Sequence, residues 1–180
     1  MKYLSTLSII CIAMMLNGCA KQQGSLPAET IITEDGQVFI AWNNPADYTD
    51  VEATLGVQSK YQQYLFSELT EELGKVANKH LSPNQKLELV VTNVDLAGDV
   101  QPTFGATPHD IRILEDIYPP KITFDYTLSE NNTVLKTGSE KLRDIGYLSG
   151  IQPIGNDPFP YEVDLLTDWF KETIKPVLSE

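Results

Sequence analysis

The hydrophobic period changes along this chain, and those changes restrict its fold more than any single motif does. Residues 37–42, QVFIAW, put Val38, Ile40 and Trp42 on one side of an extended segment, the alternation of a half-buried strand. Residues 43–50, NNPADYTD, punctuate it as a turn. From Val57 to His80 the spacing lengthens: Tyr61, Leu65, Leu69, Leu73, Val76 and Ala77 recur at helical intervals, with Glu68, Glu71, Glu72, Lys75 and Lys79 mainly elsewhere. The SPN triplet at 82–84 stops this helix. Alternation then returns. KLELVVTNV (86–94) reads as a strand. IRIL (111–114) reads as a short edge strand, and KITFDYTL (121–128) points Ile122, Phe124, Tyr126 and Leu128 inward. TVLKTGSEKLRD (133–144) pairs back on it as a hairpin, so the NNT at 131–133 is read as its turn. A second helix follows at 161–174, with Leu165, Leu166, Trp169 and Phe170 as its apolar stripe and Pro176 at its end.

The predicted order is β-α-β-(β)-β-β-α. A sheet of about four strands needs its apolar face covered, and two amphipathic helices can cover one side. The expectation is an α+β two-layer sandwich: a mostly antiparallel, mixed sheet with both helices on one face. The first β-α-β unit reads as a right-handed crossover. The segments 95–110 and 145–160, rich in Gly and Pro, are expected to be loops.

The N-terminus points to an address. Lys2 precedes a short apolar run ending at Leu16, too short to span a bilayer as a helix of ~20 residues. Leu16-Asn17-Gly18-Cys19 resembles the bacterial lipobox. That resemblance implies removal of residues 1–18, a diacylglyceryl group on the Cys19 thiol, and a membrane anchor of two or three chains. Ala20 after the cysteine, where Asp would suggest inner-membrane retention, points to the periplasmic face of the outer membrane. The alternative is cleavage after Ala20, which gives a soluble periplasmic protein. Residues 19–36 are read as the lipidated cysteine and a flexible tether, and 37–180 as a single domain. Cys11 leaves with the leader and Cys19 is consumed, so disulfides and cysteine chemistry are excluded from the domain.

The chain carries 25 Asp and Glu against 13 Lys and Arg, a net charge of −12, which disfavours nucleic acid and anionic head groups as partners. Chemistry-bearing motifs are sparse. There is no GxSxG, HExxH, phosphate-cradling glycine loop, dinucleotide fingerprint or zinc spacing, so no cofactor or metal is expected. His80 sits at a helix end, where a cation suits the carbonyl dipole. The candidate binding residues therefore come from loops and strand ends: Asp95, Asp99, His109, Asp110, Arg112, Tyr118, Tyr147 and Phe159. Arg112 and Arg143 are read as pairing at the surface with the neighbouring Asp110 and Asp144. Tyr118, Tyr147, Phe159 and Tyr161, read as exposed beside Pro and Gly, either line a patch or staple the loops down.

Several segments in order are similar to one family: WNNPADYTDV (42–51), VDLAGDVQP (94–102), DIRIL (110–114), PPKITFDYTL (119–128), GSEKLRD (138–144) and LLTDWF (165–170). They resemble the bacterial domain-of-unknown-function family 3016 over about residues 38–174. The resemblance implies a small secreted or lipid-anchored protein of Gram-negative bacteria and supplies no activity. An acidic residue often precedes VDLAG in that family, where Asn93 stands here, and Glu often replaces Gln101.

Two functions follow. One is a non-catalytic envelope lipoprotein that binds an envelope protein or small ligand through loops 95–110 and 145–160. The other is a hydrolase of envelope polymers using acidic residues such as Asp95, Asp99 or Asp110. Convergence of those carboxylates in one concave pocket separates the two.

Overall fold

The computed structural model describes residues 29–103, 110–149 and 157–179. Seven strands and two helices follow in chain order: β1 (Thr30–Asp35), β2 (Val38–Asn43), α1 (Gln58–Ala77), β3 (Gln85–Asp95), β4 (Asp99–Pro102), β5 (Asp110–Ile113), β6 (Lys121–Glu130), β7 (Thr133–Arg143) and α2 (Pro160–Trp169). The main sheet has five strands in the order β1-β2-β3-β6-β7, and β4 and β5 form a separate two-stranded sheet. Among the described residues only the β2–β3 pair is parallel, since α1 carries the chain back between them; the other pairs are antiparallel. The architecture is the α+β sandwich that the periodicity requires, with one mixed sheet and two helices.

Three boundaries differ from the sequence reading. The stretch assigned to the tether is ordered over Thr30–Asp35, where it forms edge strand β1 against β2. Its residues TIITED alternate, and Gly36, at φ 58°, turns the chain between β1 and β2. The loop expected over 95–110 instead supplies β4 at its start. That strand takes the short segment 110–113 as its partner, so β5 lies outside the main sheet. Beyond Trp169, Phe170–Ile174 continues α2 as a wider π turn.

Alternation places Val38, Ile40 and Trp42 on the same face as Leu87, Leu89 and Val91 of β3 and Ile122, Phe124 and Leu128 of β6, all buried. α1 lays Leu65, Phe66, Leu69 and Leu73 over β1 and β2; α2 brings Leu166 and Trp169 over β6 and β7, with Phe170 following in the π turn. Burying such side chains contributes roughly 1.5–3 kcal/mol each before the ordering entropy is subtracted. Trp42 and Phe66 stack with ring centres 4.4 Å apart, and Trp169 meets Phe124 and Tyr126 edge-on at 4.8 and 5.1 Å. Asn131 and Asn132, both at positive φ, form the β6–β7 turn as the NNT segment suggested.

Candidate functional site

One seam of the molecule is held by charge rather than by apolar contact. It lies where the β4–β5 hairpin meets the first turns of α1 and α2. Arg112 of β5 reaches Asp50, in the turn after β2, and donates from Nη1 to Oδ2 at 2.5 Å and from Nη2 to the backbone carbonyl at 3.1 Å. Asp50 sits at φ 53°, a left-handed conformation that Asp tolerates, and it meets the guanidinium with Oδ2 and its backbone carbonyl. Nη1 also lies 3.5 Å from the Ala97 carbonyl. The Ala97 amide, facing the other way, donates to Glu162 Oε1 at 2.6 Å. Glu162 is the third residue of α2, where a carboxylate suits the helix dipole, and its side chain is buried. Gly98 closes the seam at φ 83°, since a Cβ there would strike the Ile113 carbonyl.

The electrostatics follow from this burial. Burial pushes the Glu162 carboxyl above the usual glutamate range, opposed by the hydrogen bond from Ala97, by its own backbone amide and by the Arg112 charge. Asp50 is also raised, by burial first, with Arg112 pulling it down and Asp99 and Asp95 pushing it up. Tyr61 of α1, beside Arg112, is raised by burial.

Above this seam opens a cleft of about 390 Å³, within the size range of small-ligand sites. Tyr61, Leu96, Leu114, Phe159 and Pro160 form its apolar walls, with Arg112 and Glu162 at its polar side. Phe159 is pinned edge-on to Tyr61, ring centres 6.1 Å apart, and tilted against Tyr64 at 5.8 Å. The charge of Arg112 is already paired with Asp50, so an incoming anion would compete with that ion pair. The arrangement suits an apolar or aromatic body carrying a hydrogen-bond donor for Glu162.

The structure thus brings two of the sequence candidates, Arg112 and Phe159, into one cleft, and places the other described ones elsewhere. Asp95 forms an ion pair with Lys121 across the β3–β6 ladder. Asp99 lies on β4, 3.4 Å from the Gln101 amide, and close enough to Asp50 to raise it. Asp110 borders a different, shallow depression with Leu55 and Pro102. Tyr118 is exposed, as expected, and its backbone carbonyl accepts the Gly98 amide at 2.9 Å. Tyr147, expected to be exposed, is buried. Its ring stands on Tyr161 at 4.8 Å, and its hydroxyl donates to the Glu115 carbonyl at 2.9 Å. Phe159, also expected to be exposed, is buried too. Both aromatics fasten loops. Cys19 and His109 lie outside the described residues. Arg112 does not pair with neighbouring Asp110; its partner is 62 positions away in sequence.

Asp50, Ala97 and Glu162 are not among the candidates the sequence offered, and Tyr61 figured there only in the apolar stripe of a helix. Glu162 was within reach of the sequence reading: Pro160 followed by Glu two residues later marks a helix first turn, although nothing in PYEVD signals burial. Among the described residues, no group of three or more His, Cys, Asp or Glu is arranged to hold a metal ion.

No curated protein and no solved structure matches the chain. One family model does match, over residues 36–172, which takes in both helices' packing faces, the hairpin and the cleft. The chain belongs to the family described as protein of unknown function, DUF3016.

Proposed function

We propose that this protein is a lipid-anchored envelope protein whose α+β domain binds a small apolar ligand, or an apolar side chain of an envelope partner, without transforming it. Cys19 carries the anchor in this reading, and the domain faces the periplasm from the outer membrane. The observation that carries the binding reading is the cleft of Tyr61, Leu96, Leu114, Phe159 and Glu162, apolar on its walls and with its one cation committed to Asp50. The carboxylates on which a hydrolase reading relied do not support it, because Asp95, Asp99 and Asp110 do not line this cleft.

Native mass spectrometry of the full chain, purified from membranes, tests both parts. The mature N-terminus is expected to begin at a triacylated or diacylated Cys19. A bound mass is expected on the wild type and absent from Leu114→Trp, which fills the mouth of the cleft at a residue already 44% exposed. An unmodified N-terminus would remove the anchor. No bound mass on the wild type, with Leu114→Trp fully complementing a deletion strain, would remove the ligand.

A further inference from the structure

The two edges of the main sheet are unequal. The β1–β2 ladder pairs Asp35 with Val38 across its turn and Thr30 with Asn43 at its other end. Beyond it, the Asn44 amide donates to the Glu29 carbonyl at 2.7 Å. That bond fixes the phase of the ladder. Ile31, Thr33 and Asp35 exchange hydrogen bonds with β2, whereas Thr30, Ile32 and Glu34 turn their N–H and C=O groups away from it. Among the described residues nothing bonds to the outward groups of Ile32 or Glu34. β1 carries no Pro and no bulge; its charges, Glu34 and Asp35, lie at one end, and Ile32 in its middle is 70% exposed.

This open edge borders a groove of about 440 Å³ whose far wall is α1. Gln63, Ser67, Glu71 and Lys75 line that wall at intervals of four residues, one face of the helix running beside the strand. At the groove's base the Thr33 and Thr70 hydroxyls share a hydrogen bond of 2.5 Å. An exposed strand edge is where an extended peptide adds to a sheet through main-chain hydrogen bonds, and α1 supplies a wall beside it.

We propose that β1 receives, as a sixth strand of the main sheet, an extended basic segment of a partner protein. Charge selects the partner: Glu34 and Asp35 end the edge strand, one on each face, and Lys75 in the groove is already paired with Glu71, on a chain of net charge −12. Pleat selects the pattern. Ile32 and Glu34 register with Ala41 and Phe39, which alternate with buried Ile40, so both project from the sheet face opposite the helices. An added strand puts an apolar residue beside Ile32 and, two positions on, Lys or Arg beside Glu34.

The test uses the full chain in detergent micelles and octapeptides repeating Val-Thr-Lys-Thr or Val-Thr-Glu-Thr, in which one face alternates valine with lysine or with glutamate. With the valine–lysine peptide, the amides of Ile32 and Glu34 become protected from hydrogen exchange. Ile32→Pro removes one outward donor and leaves the β2 ladder intact, so it weakens binding roughly tenfold, as expected for one hydrogen bond, with little change in thermal stability. Glu34→Lys reverses the preference toward the valine–glutamate peptide. The proposal is overturned if neither peptide protects those amides, or if Ile32→Pro binds as the wild type does. It is also overturned if the amides are protected without peptide, with the chain sedimenting as a dimer if a second copy fills the edge or as a monomer if its own N-terminal segment does.

Discussion

Along one helix, α1, two kinds of adhesion stand side by side. In its middle, Phe66 stacks on Trp42 and takes Tyr48 edge-on at 5.9 Å, with every ring buried. One turn and a half earlier, Tyr61 lies against the Asp50–Arg112–Glu162 seam, where charged groups remain 18–20% exposed at the ion pair. The first region gains from area removed from water and is indifferent to pH. The second gains only as far as each charge keeps its partner, because removal of one partner strands the other in a poor solvent. The apolar layer therefore fixes how α1 sits on the sheet. The seam fixes where the β4–β5 hairpin and the cleft sit relative to it.

The largest effect is expected in the apolar layer. Phe66→Ala leaves a cavity between Trp42 and Tyr48 and should cost about 3–5 kcal/mol, read from the urea midpoint at unchanged slope. At about 2–4 °C per kcal/mol for a domain of this size, melting should drop by roughly 6–20 °C. A loss below about 1 kcal/mol would mean that the layer closes over the gap, and the contrast with the seam would fail.

An intermediate effect is expected at the ion pair. Arg112→Met strands Asp50 and frees the Ala97 carbonyl, and should cost about 1–3 kcal/mol, less than for a fully buried pair because water reaches both partners. Asp50→Asn keeps a residue that tolerates the left-handed backbone there. The double variant should recover much of the loss, and the coupling in that four-protein cycle measures the pair itself. Additive losses would show that the two residues act separately.

The two regions also differ in how far the sequence revealed them. Val38, Ile40 and Trp42, Leu65, Leu69 and Leu73, and Ile122, Phe124 and Leu128 announce their faces through period alone, because burial of one face is a local constraint repeated along the chain. Strand β1 alternates as well, but it ends a mostly polar stretch holding Gly24 and Pro27, which reads as linker. The seam had no such signal. Arg112 stands two residues from Asp110 in sequence, yet it bonds to Asp50, because the β4–β5 pairing swings it toward the turn after β2. Contacts between distant loops follow from topology, and no pattern within either loop encodes them. The burial of Tyr147 and Phe159 was hidden for the same reason: their partners Tyr161 and Tyr61 come from other segments.

The smallest effect separates the regions by pH. Burial holds the Glu162 carboxyl above its ordinary value of 4.5, with Ala97 donating to it and Arg112 and Asp95 the charges that act on it. Above the folded pKa the native state keeps an ionised carboxylate in poor solvent, so the cost is fully present. As the pH falls through that pKa the native state binds a proton before the unfolded chain does, and stability rises. Below 4.5 both states are protonated and the cost is gone. Glu162→Gln retains an oxygen for the Ala97 amide and cannot ionise. Subtracting its melting profile from that of the wild type cancels the shared titration of Asp50 and leaves Glu162 alone. The difference should move in favour of the wild type as the pH is lowered from 7 toward 4.5, while the same subtraction for Phe66→Ala stays flat. A flat difference for Glu162→Gln would mean that Glu162 is solvated in the folded chain, and the floor of the cleft would then be open to water.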